Sequence, residues 1–257
     1  MNLLLAVTVF VAGVLPAAGA PAPPLRLSSG PARVALLELY TSEGCSSCPP
    51  ADAFLSSLAG SPRLWHDIVP VAFHVDYWDS LGWKDRFARP AWSARQREQV
   101  RQGAAGTVYT PGLFLNGSEW RRWTGTAALT LPTSADAGEL SVAIRDGKSV
   151  DVSFAPATGV HGAELQANVA LLGSGFVSRV QAGENRGRTL RHDFVVLELA
   201  TSRLNRHDSR YTASVQLTPP QTATPRQAIA VWITAGTSLR PLQAVGGWLD
   251  QLQLPGH

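Results

Sequence analysis

Residues 33–58 read RVALLELYTSEGCSSCPPADAFLSSL, and the prediction of the fold starts from this stretch. Residues 33–40 form a continuous apolar run, which predicts a strand that is buried on both faces. Residues 51–58 show helical spacing of apolar side chains, and the two prolines before them suit the first turn of a helix. Cys45 and Cys48 therefore lie at the junction between a buried strand and a helix.

The next segments repeat this alternation of strand and helix. Residues 68–75 (IVPVAFHV) predict a second strand, and residues 90–102 predict a helix that ends at a glycine. Residues 109–116 (YTPGLFLN) predict a third strand, after which Asn116-Gly117 is a hairpin turn signal. The order strand–helix–strand–helix favours an α/β layer with parallel strands.

The pattern changes to period two after residue 131. Residues 140–144 and 150–154 alternate apolar and polar side chains on either side of Asp146-Gly147, which predicts a hairpin. Further strand-like runs follow at residues 165–171, 176–180, 194–199, 211–217 and 228–233. Short strands separated by turn signals predict an antiparallel, sandwich-like arrangement.

The order of these segments predicts a leader, a lead-in and two domains. Residues 1–20 (MNLLLAVTVFVAGVLPAAGA) are typical of a secretory signal peptide, the alternative being an uncleaved anchor. Residues 21–32 predict a flexible lead-in, residues 33–130 the α/β domain and residues 138–251 the β-rich domain. The predicted location is periplasmic or secreted, where disulfides persist.

The composition excludes several classes of protein. Hydrophobic residues make up 45% and charged residues 16% of the chain, which indicates a globular rather than a disordered protein. The net charge of +3 comes with scattered arginines, so we expect no nucleic-acid partner. The apolar run in residues 1–20 is shorter than a transmembrane helix requires, and we expect no stable membrane insertion.

Cys45 and Cys48 are the only cysteines of the chain. Two intervening residues place both thiols on the first helical turn, where the helix N-terminus stabilises a thiolate. We therefore predict redox chemistry, with Cys45 as the exposed nucleophile and Cys48 as the resolving thiol. The alternatives are a stabilising disulfide, which so short a loop makes weak, and a zinc site, which normally requires four protein ligands.

Several runs of sequence resemble one protein family. They are LELYTSEGCSSCPPAD at residues 37–52, FHVDYWDSLGWKD at residues 73–85, YTP at residues 109–111 and GENRGRTL at residues 183–190. They resemble a family of secreted thioredoxin-like proteins of unknown function that carry a CSSCPP motif (domain of unknown function 1223). The resemblance implies an α/β thioredoxin-like N-terminal domain followed by a β-rich, sandwich-like C-terminal domain. It implies no particular substrate.

Similarity to thioredoxins also suggests roles for three other residues. In thioredoxins a cis-proline faces the CxxC pair and the backbone before it binds the substrate, positions that Pro111 and Thr110 would occupy here. The alternative is an ordinary trans proline at the start of a strand. Thioredoxins also have a buried carboxylate near the position of Glu38. That carboxylate exchanges a proton with the resolving cysteine. The alternative is a strand-end glutamate that faces solvent or an arginine.

A metal site is an alternative use of the cysteines. Cys45, Cys48 and His74 would offer thiolate and imidazole ligands, which suit copper. The simpler interpretation of His74 is a histidine that is hydrogen-bonded within the aromatic connection after the second strand.

Two further segments could contact a partner. Tyr77, Trp78 and Trp83 would form either a hydrophobic wall for a peptide or, more simply, the seam between the two domains. The loop at residues 183–188 would either hold an anion or form a tight connection with internal salt bridges.

We predict an exported thiol–disulfide oxidoreductase with Cys45, Cys48, Thr110 and Pro111 at its site. The predicted partners are protein or small-molecule thiols and disulfides together with an unidentified redox partner. No cofactor is predicted besides the disulfide itself. The alternatives are a copper- or soft-metal-handling protein that uses His74, and a non-enzymatic partner-binding module whose disulfide is passive.

Overall fold

A computed structural model describes residues 24–123, 136–145, 148–157, 164–218 and 224–250. The α-helices in these ranges are α1 (Pro49–Ser57) and α2 (Pro90–Arg101). The strands are β1 (Leu25–Ser28), β2 (Ala35–Thr41), β3 (Ile68–His74), β4 (Gly112–Leu115), β5 (Ser118–Glu119), β6 (Gly138–Arg145), β7 (Ser149–Pro156), β8 (Leu165–Ser174), β9 (Phe176–Arg179), β10 (Thr189–His192), β11 (Val195–Arg203), β12 (Asn205–His207), β13 (Arg210–Gln216), β14 (Arg226–Ala235) and β15 (Pro241–Trp248).

The largest sheet has eight strands in the order β15-β14-β8-β11-β3-β2-β4-β5. Strand β3 is buried along its whole length, so the polar backbone groups on both of its edges need partners within the protein. Strand β2 pairs with one edge of β3, and β11 pairs with the other edge where Val195 faces Ala72, both in parallel. Strand β11 then pairs antiparallel with β8. The first and second halves of the chain thus share one sheet.

A five-stranded antiparallel sheet, in the order β1-β6-β7-β13-β12, lies against one face of the large sheet. The two sides of β14 show how the cores are divided, since successive side chains of a strand point to opposite faces. Ala230 and Trp232 belong to the core that includes residues of α1 and α2. Val231 and Ile233 belong to the core beneath the five-stranded sheet.

A third sheet is the hairpin of β9 and β10, which we call the capping hairpin (residues 176–192). Side chains on its inner face are buried and those on its outer face are exposed. The inner face packs against α1. Because β11 begins three residues after β10 ends, the pairing of β11 with β3 delivers this hairpin to the N-terminus of α1.

The predicted fold class, an α/β thioredoxin-like domain followed by a β-rich domain, is wrong. The described residues are mostly strand, and their large mixed sheet draws strands from both halves of the chain. The reason is physical: β3 is apolar on both faces and has two edges to satisfy, and a strand from the second half completes it. Short-range pattern does not reveal such a long-range pairing.

Several local predictions are confirmed. Strands β2 and β3 are parallel, α1 and α2 lie close to their predicted positions, and β6 pairs with β7 as a hairpin. The turn between β4 and β5 places Asn116 and Gly117 at φ values of 51° and 72°, the left-handed backbone that an Asn-Gly hairpin turn requires.

The predicted leader at residues 1–20, and most of the predicted boundary at residues 131–138, lie outside the described residues. The segmentation into residues 21–32, 33–130 and 138–251 stays a prediction. None of the helices in the described part of the chain has the length and apolar character needed to cross a membrane.

Candidate functional site

The loop that joins β2 to α1 carries the two cysteines, and we call residues 42–48 the CxxC loop. Cys45 and Cys48 form a disulfide with their Cα atoms 5.4 Å apart. Cys48 is the N-cap of α1, so Cys45 lies just before the positive end of the helix. The hydroxyl of Ser47 lies 3.3 Å from the sulfur of Cys45.

Both cysteines are fully buried, whereas Ser46 and Ser47 between them are exposed. The prediction that Cys45 is the exposed member of the pair is therefore wrong for the oxidised chain. The sequence spacing alone could not reveal this, because the residues that cover the loop come from elsewhere in the chain.

The tip of the capping hairpin holds the CxxC loop in place. The side-chain amide of Asn185, itself fully buried, donates to the carbonyl oxygens of Glu43 and Cys45 at 2.9 Å each. The carboxylate of Glu184 accepts a hydrogen bond from the backbone N–H of Ser46 at 3.0 Å. Residues 183–188 form a tight connection with backbone hydrogen bonds of its own, but the internal salt bridges predicted for it are absent from these described residues. Instead, Glu184 and Asn185 bond to the CxxC loop.

A cluster of buried ionisable side chains includes Glu43 of the CxxC loop. Trp83 donates its indole N–H to Glu43 Oε2 at 2.7 Å, and His192 Nε2 lies 3.2 Å from Glu43 Oε1. Burial alone would raise the pKa of Glu43, but the nearby His192 and the hydrogen bond from Trp83 outweigh it and lower the pKa. His192 comes from β10, so this contact joins the two halves of the chain.

His74 and Asp85 form a second buried pair in the same cluster. His74 Nδ1 and Asp85 Oδ2 are 2.7 Å apart, and the same carboxylate oxygen accepts the backbone N–H of Glu43 at 2.9 Å. Burial would raise the pKa of Asp85, but its interaction with His74 dominates and lowers the pKa. The rings of His74 and His192 contact each other edge to face with their centroids 5.0 Å apart.

Asp52 is the carboxyl group of this cluster that has no close histidine partner. It lies four residues after Cys48, and its backbone N–H donates to the Cys48 carbonyl at 3.1 Å, so the two residues share one face of α1. Thr41 donates its hydroxyl to Asp52 Oδ2 at 3.2 Å. Burial raises the pKa of Asp52 to about 7, and the field of His192 and the bond from Thr41 limit the rise. Asp52 is therefore able to exchange a proton near neutral pH.

Thr110 and Pro111 lie next to the site through an aromatic side chain. The Thr110–Pro111 peptide bond is cis, as predicted. Trp78 donates its indole N–H to the hydroxyl of Thr110 at 2.9 Å, and a Cβ added to Gly44 would lie 2.9 Å from Trp78 Cβ. Trp78 thus fills the space between the CxxC loop and the proline.

The aromatic residues after β3 pack into the protein. Tyr77 and Trp78 are partly buried against the main core, and Trp83 bonds to Glu43 beside Gly183 of the capping hairpin. These contacts favour the interpretation that the three aromatic side chains fill the seam between the two halves of the chain. They do not form a free hydrophobic wall for a peptide.

Glu38 does not take part in the site. Its carboxylate is buried in an ion pair with Arg95 of α2 and accepts a hydrogen bond from Gln99 at 2.8 Å. The arginine alternative for Glu38 is the one observed. The carboxyl group that lies one helical turn after Cys48 is that of Asp52.

The metal hypothesis gains no support from the arrangement of ligands. His74 is held by Asp85, and no group of three or more His, Cys, Asp or Glu side chains in the described part of the chain is arranged to hold a metal ion.

The sequence of residues 36–234 matches the family model described as protein of unknown function (DUF1223). The chain belongs to the DUF1223 family. The resemblance read from the CxxC loop and from residues 183–190 is thereby confirmed. None of the curated proteins matches the chain.

Two solved structures are similar to this DUF1223 protein in fold. The crystal structure of protein AGR_C_4864 from Agrobacterium tumefaciens shares 23% identity, with a TM-score of 0.58, and the match covers 88% of this chain and 99% of that one. HBP35 of Porphyromonas gingivalis shares 14% identity with a TM-score of 0.58, over 86% of this chain and 76% of that one. At such identities the likeness concerns the fold alone.

Sequence reasoning missed four members of the site. Asp52 could have been found from the sequence, because it follows Cys48 by four residues and this helical spacing places both on one face of α1. Asp85 stood in a run that the resemblance singled out, but no spacing rule predicts its contact with His74. His192 had no signal, because its partner Glu43 lies far away in sequence. Asn185 stood in a loop that the resemblance singled out, but its contact with the CxxC loop is not visible in the sequence.

Replacing the buried amide tests whether the capping hairpin holds the CxxC loop. We expect Asn185→Ala to lower the free energy of unfolding by about 2–4 kcal/mol, because two buried backbone carbonyls lose a donor. We also expect dithiothreitol to reduce the disulfide about tenfold faster, which corresponds to a loss of about 1.4 kcal/mol in local stability.

The matched control is Asn205→Ala, at an exposed position of β12, which should change the free energy of unfolding by less than about 0.5 kcal/mol. Equal effects of the two substitutions on stability and on reduction rate would contradict the role given to Asn185.

Proposed function

We propose that this DUF1223 protein exchanges thiols and disulfides through Cys45 and Cys48. The observation that carries the proposal is a disulfide at the N-terminus of α1 with a buried carboxyl group, Asp52, one turn away and poised to exchange a proton near pH 7. A disulfide that closes a four-residue loop contributes only about 2 kcal/mol of stability, so stabilisation alone gives a weak reason for it.

The first step of exchange uses the reduced protein. The thiolate of Cys45 attacks one sulfur of a substrate disulfide, a bond forms between them, and the other substrate sulfur leaves as a thiolate. The positive end of α1 stabilises the attacking thiolate, and the hydroxyl of Ser47, 3.3 Å from the Cys45 sulfur in the oxidised state, is placed to donate to it.

The second step releases the substrate. Cys48 gives its proton to the carboxylate of Asp52, and the Cys48 thiolate attacks the Cys45 sulfur of the mixed disulfide. The intramolecular disulfide forms again and the second substrate sulfur leaves as a thiolate, so two electrons pass from the protein to the substrate. In the opposite direction the same steps oxidise a substrate dithiol, and Asp52 returns the proton to Cys48.

The remaining parts of the site position the reactants. Thr110 and Pro111, which Trp78 connects to the CxxC loop, would contact the substrate chain. Because both sulfurs are buried in the oxidised state, a substrate reaches Cys45 only after the residues that cover it move aside.

We place this chemistry outside the cytoplasm, in the periplasm or the medium. Residues 1–20 support that location by their signal-peptide pattern. The substrates would be protein or small-molecule thiols and disulfides, with a separate redox partner that restores the starting state.

One observation favours a second candidate, a partner-binding module with a passive disulfide. The complete burial of Cys45 and Cys48 is typical of inert cysteines, because a reactive thiol is normally accessible. The two candidates differ in whether the pair reacts while the protein is folded.

Trapping the mixed disulfide tests the proposal. Reduced Cys48→Ser protein should form a stable mixed disulfide with glutathione when it is treated with glutathione disulfide, because Cys45 attacks and no resolving thiol remains. Mass measurement of the folded protein detects the adduct. Cys45→Ser should react at least about tenfold more slowly, since its thiol is the inner member of the pair. No adduct on folded Cys48→Ser protein would favour the passive module.

The role of Asp52 predicts a pH dependence. The carboxylate is the proton acceptor, and it predominates above its pKa of about 7, so the rate of resolution of the mixed disulfide should rise as the pH increases through 7. Asp52→Asn keeps an acceptor for the Thr41 hydroxyl but cannot take a proton. We expect it to slow resolution at pH 7.5 by about 10²-fold and to remove the inflection near pH 7.

Stopped-flow measurement of thiol release from the mixed disulfide, between pH 5 and 9, follows this step. The exposed Asp67→Asn serves as the control and should leave the profile unchanged. An inflection near pH 7 that persists in Asp52→Asn would assign the proton transfer to another group.

A further inference from the structure

The outer face of the capping hairpin carries a cluster of exposed arginines. Arg179 and Arg191 lie on the exposed sides of β9 and β10, and Arg186 and Arg188 lie at the tip. Arg86 lies alongside, with its guanidinium donating to the backbone carbonyl of Val177 at 3.1 Å. We call these five residues the arginine face.

Three of these side chains share one depression of the surface. Arg179, Arg186 and Arg188 line an open cavity of about 250 Å³ together with backbone and polar groups of the hairpin. Residues that line one cavity can contact the same ligand. An anionic ligand in that position would meet more than one positive charge.

The positive charge of this face exceeds the negative charge of the neighbouring residues. Among the described residues, Arg86, Arg179, Arg186 and Arg191 form no salt bridge. Two carboxylates are close to these arginines in sequence: Glu184 at the tip accepts the N–H of Ser46, and Asp193 just beyond β10 accepts the N–H of Gly175. Both keep their negative charge, but the five arginines outnumber them. Arg179, Arg186 and Arg191 therefore remain available to an acidic partner, whereas Arg86 donates to Val177 and Arg188 donates to Asn185 Oδ1.

Apolar contacts accompany the charge. Val177 and Leu81 are the large hydrophobic side chains that stand out as exposed in the described part of the chain, at 44% and 54%. Val177 is on the outer side of β9, and the backbone of Leu81 lies against Gly183 at the hairpin tip. A polypeptide can use apolar and acidic side chains together, and this favours it over a single-stranded nucleic acid, whose bases normally stack on aromatic side chains.

We propose that the arginine face binds an acidic polypeptide segment of the partner whose cysteines react at Cys45. The inference rests on the proposed function for the identity of the partner, because the hairpin tip contacts the CxxC loop and a chain on this face passes beside the exposed Ser46 and Ser47. Charge attraction at the rim speeds encounter and selects among partners.

A cysteine-free peptide of ten glutamates, labelled with fluorescein, tests the face by fluorescence anisotropy on the oxidised full-length protein. We expect binding at low salt that weakens as salt is added. Arg179→Glu/Arg191→Glu should weaken it by at least about tenfold, because each change removes an attraction and adds a repulsion. Arg179→Gln/Arg191→Gln should weaken the binding of the peptide less, because it removes the two attractions without adding repulsion. This milder variant shows whether the loss comes from charge and not from misfolding.

The matched control reverses charge on another exposed ribbon. Arg206→Glu/Arg210→Glu, on β12 and β13, should change the affinity less than about twofold. Affinity unchanged by reversal of Arg179 and Arg191 would overturn the proposal. So would tighter binding of a ten-nucleotide single strand through the same two arginines, since it would assign another class of partner.

This test is independent of the redox chemistry. The peptide has no sulfur, so its binding to the arginine face does not depend on whether Cys48→Ser protein forms a mixed disulfide. Equally, formation of the mixed disulfide with glutathione does not depend on whether the arginine face binds the peptide.

Discussion

The parallel pairing of β3 with β11 is the contact on which the rest of the structure depends. Strand β3 is buried on both faces, and its free edge is completed where Val195 meets Ala72 and where the N–H of Ala72 donates to the carbonyl of Phe194 at 2.8 Å. This pairing fixes the start of β11. It therefore also fixes the capping hairpin, which ends three residues earlier and reaches the CxxC loop.

This arrangement surrounds the disulfide with side chains from both halves of the chain. His192 and Asn185 arrive with the capping hairpin, whereas His74 and Asp85 belong to β3 and the connection after it. Glu43 and Asp85 have their pKa lowered by histidine partners, and Asp52, without such a partner, has its pKa raised to about 7. The cluster thus separates fixed negative charges from one group that can move a proton.

The parts of this structure that the sequence predicts are those set by local chemistry. An apolar run, a helical spacing and an Asn-Gly turn depend on neighbouring residues, so β2, α1 and the β4–β5 hairpin were predictable. The shared sheet was not, because nothing near β3 indicates that a strand more than a hundred residues later completes it. The same holds for the buried cluster, where His74 drew attention as a metal ligand although its partner is Asp85.

The central claim is that the Cys45–Cys48 pair works as a redox couple inside the folded protein. Its reduction potential, titrated in glutathione buffers and read by alkylation and mass, tests this most directly. The account predicts a value between about −120 and −270 mV, the range of working oxidoreductases. A value below about −300 mV, as structural disulfides have, would contradict it and leave the capping hairpin as the cover of a passive bond.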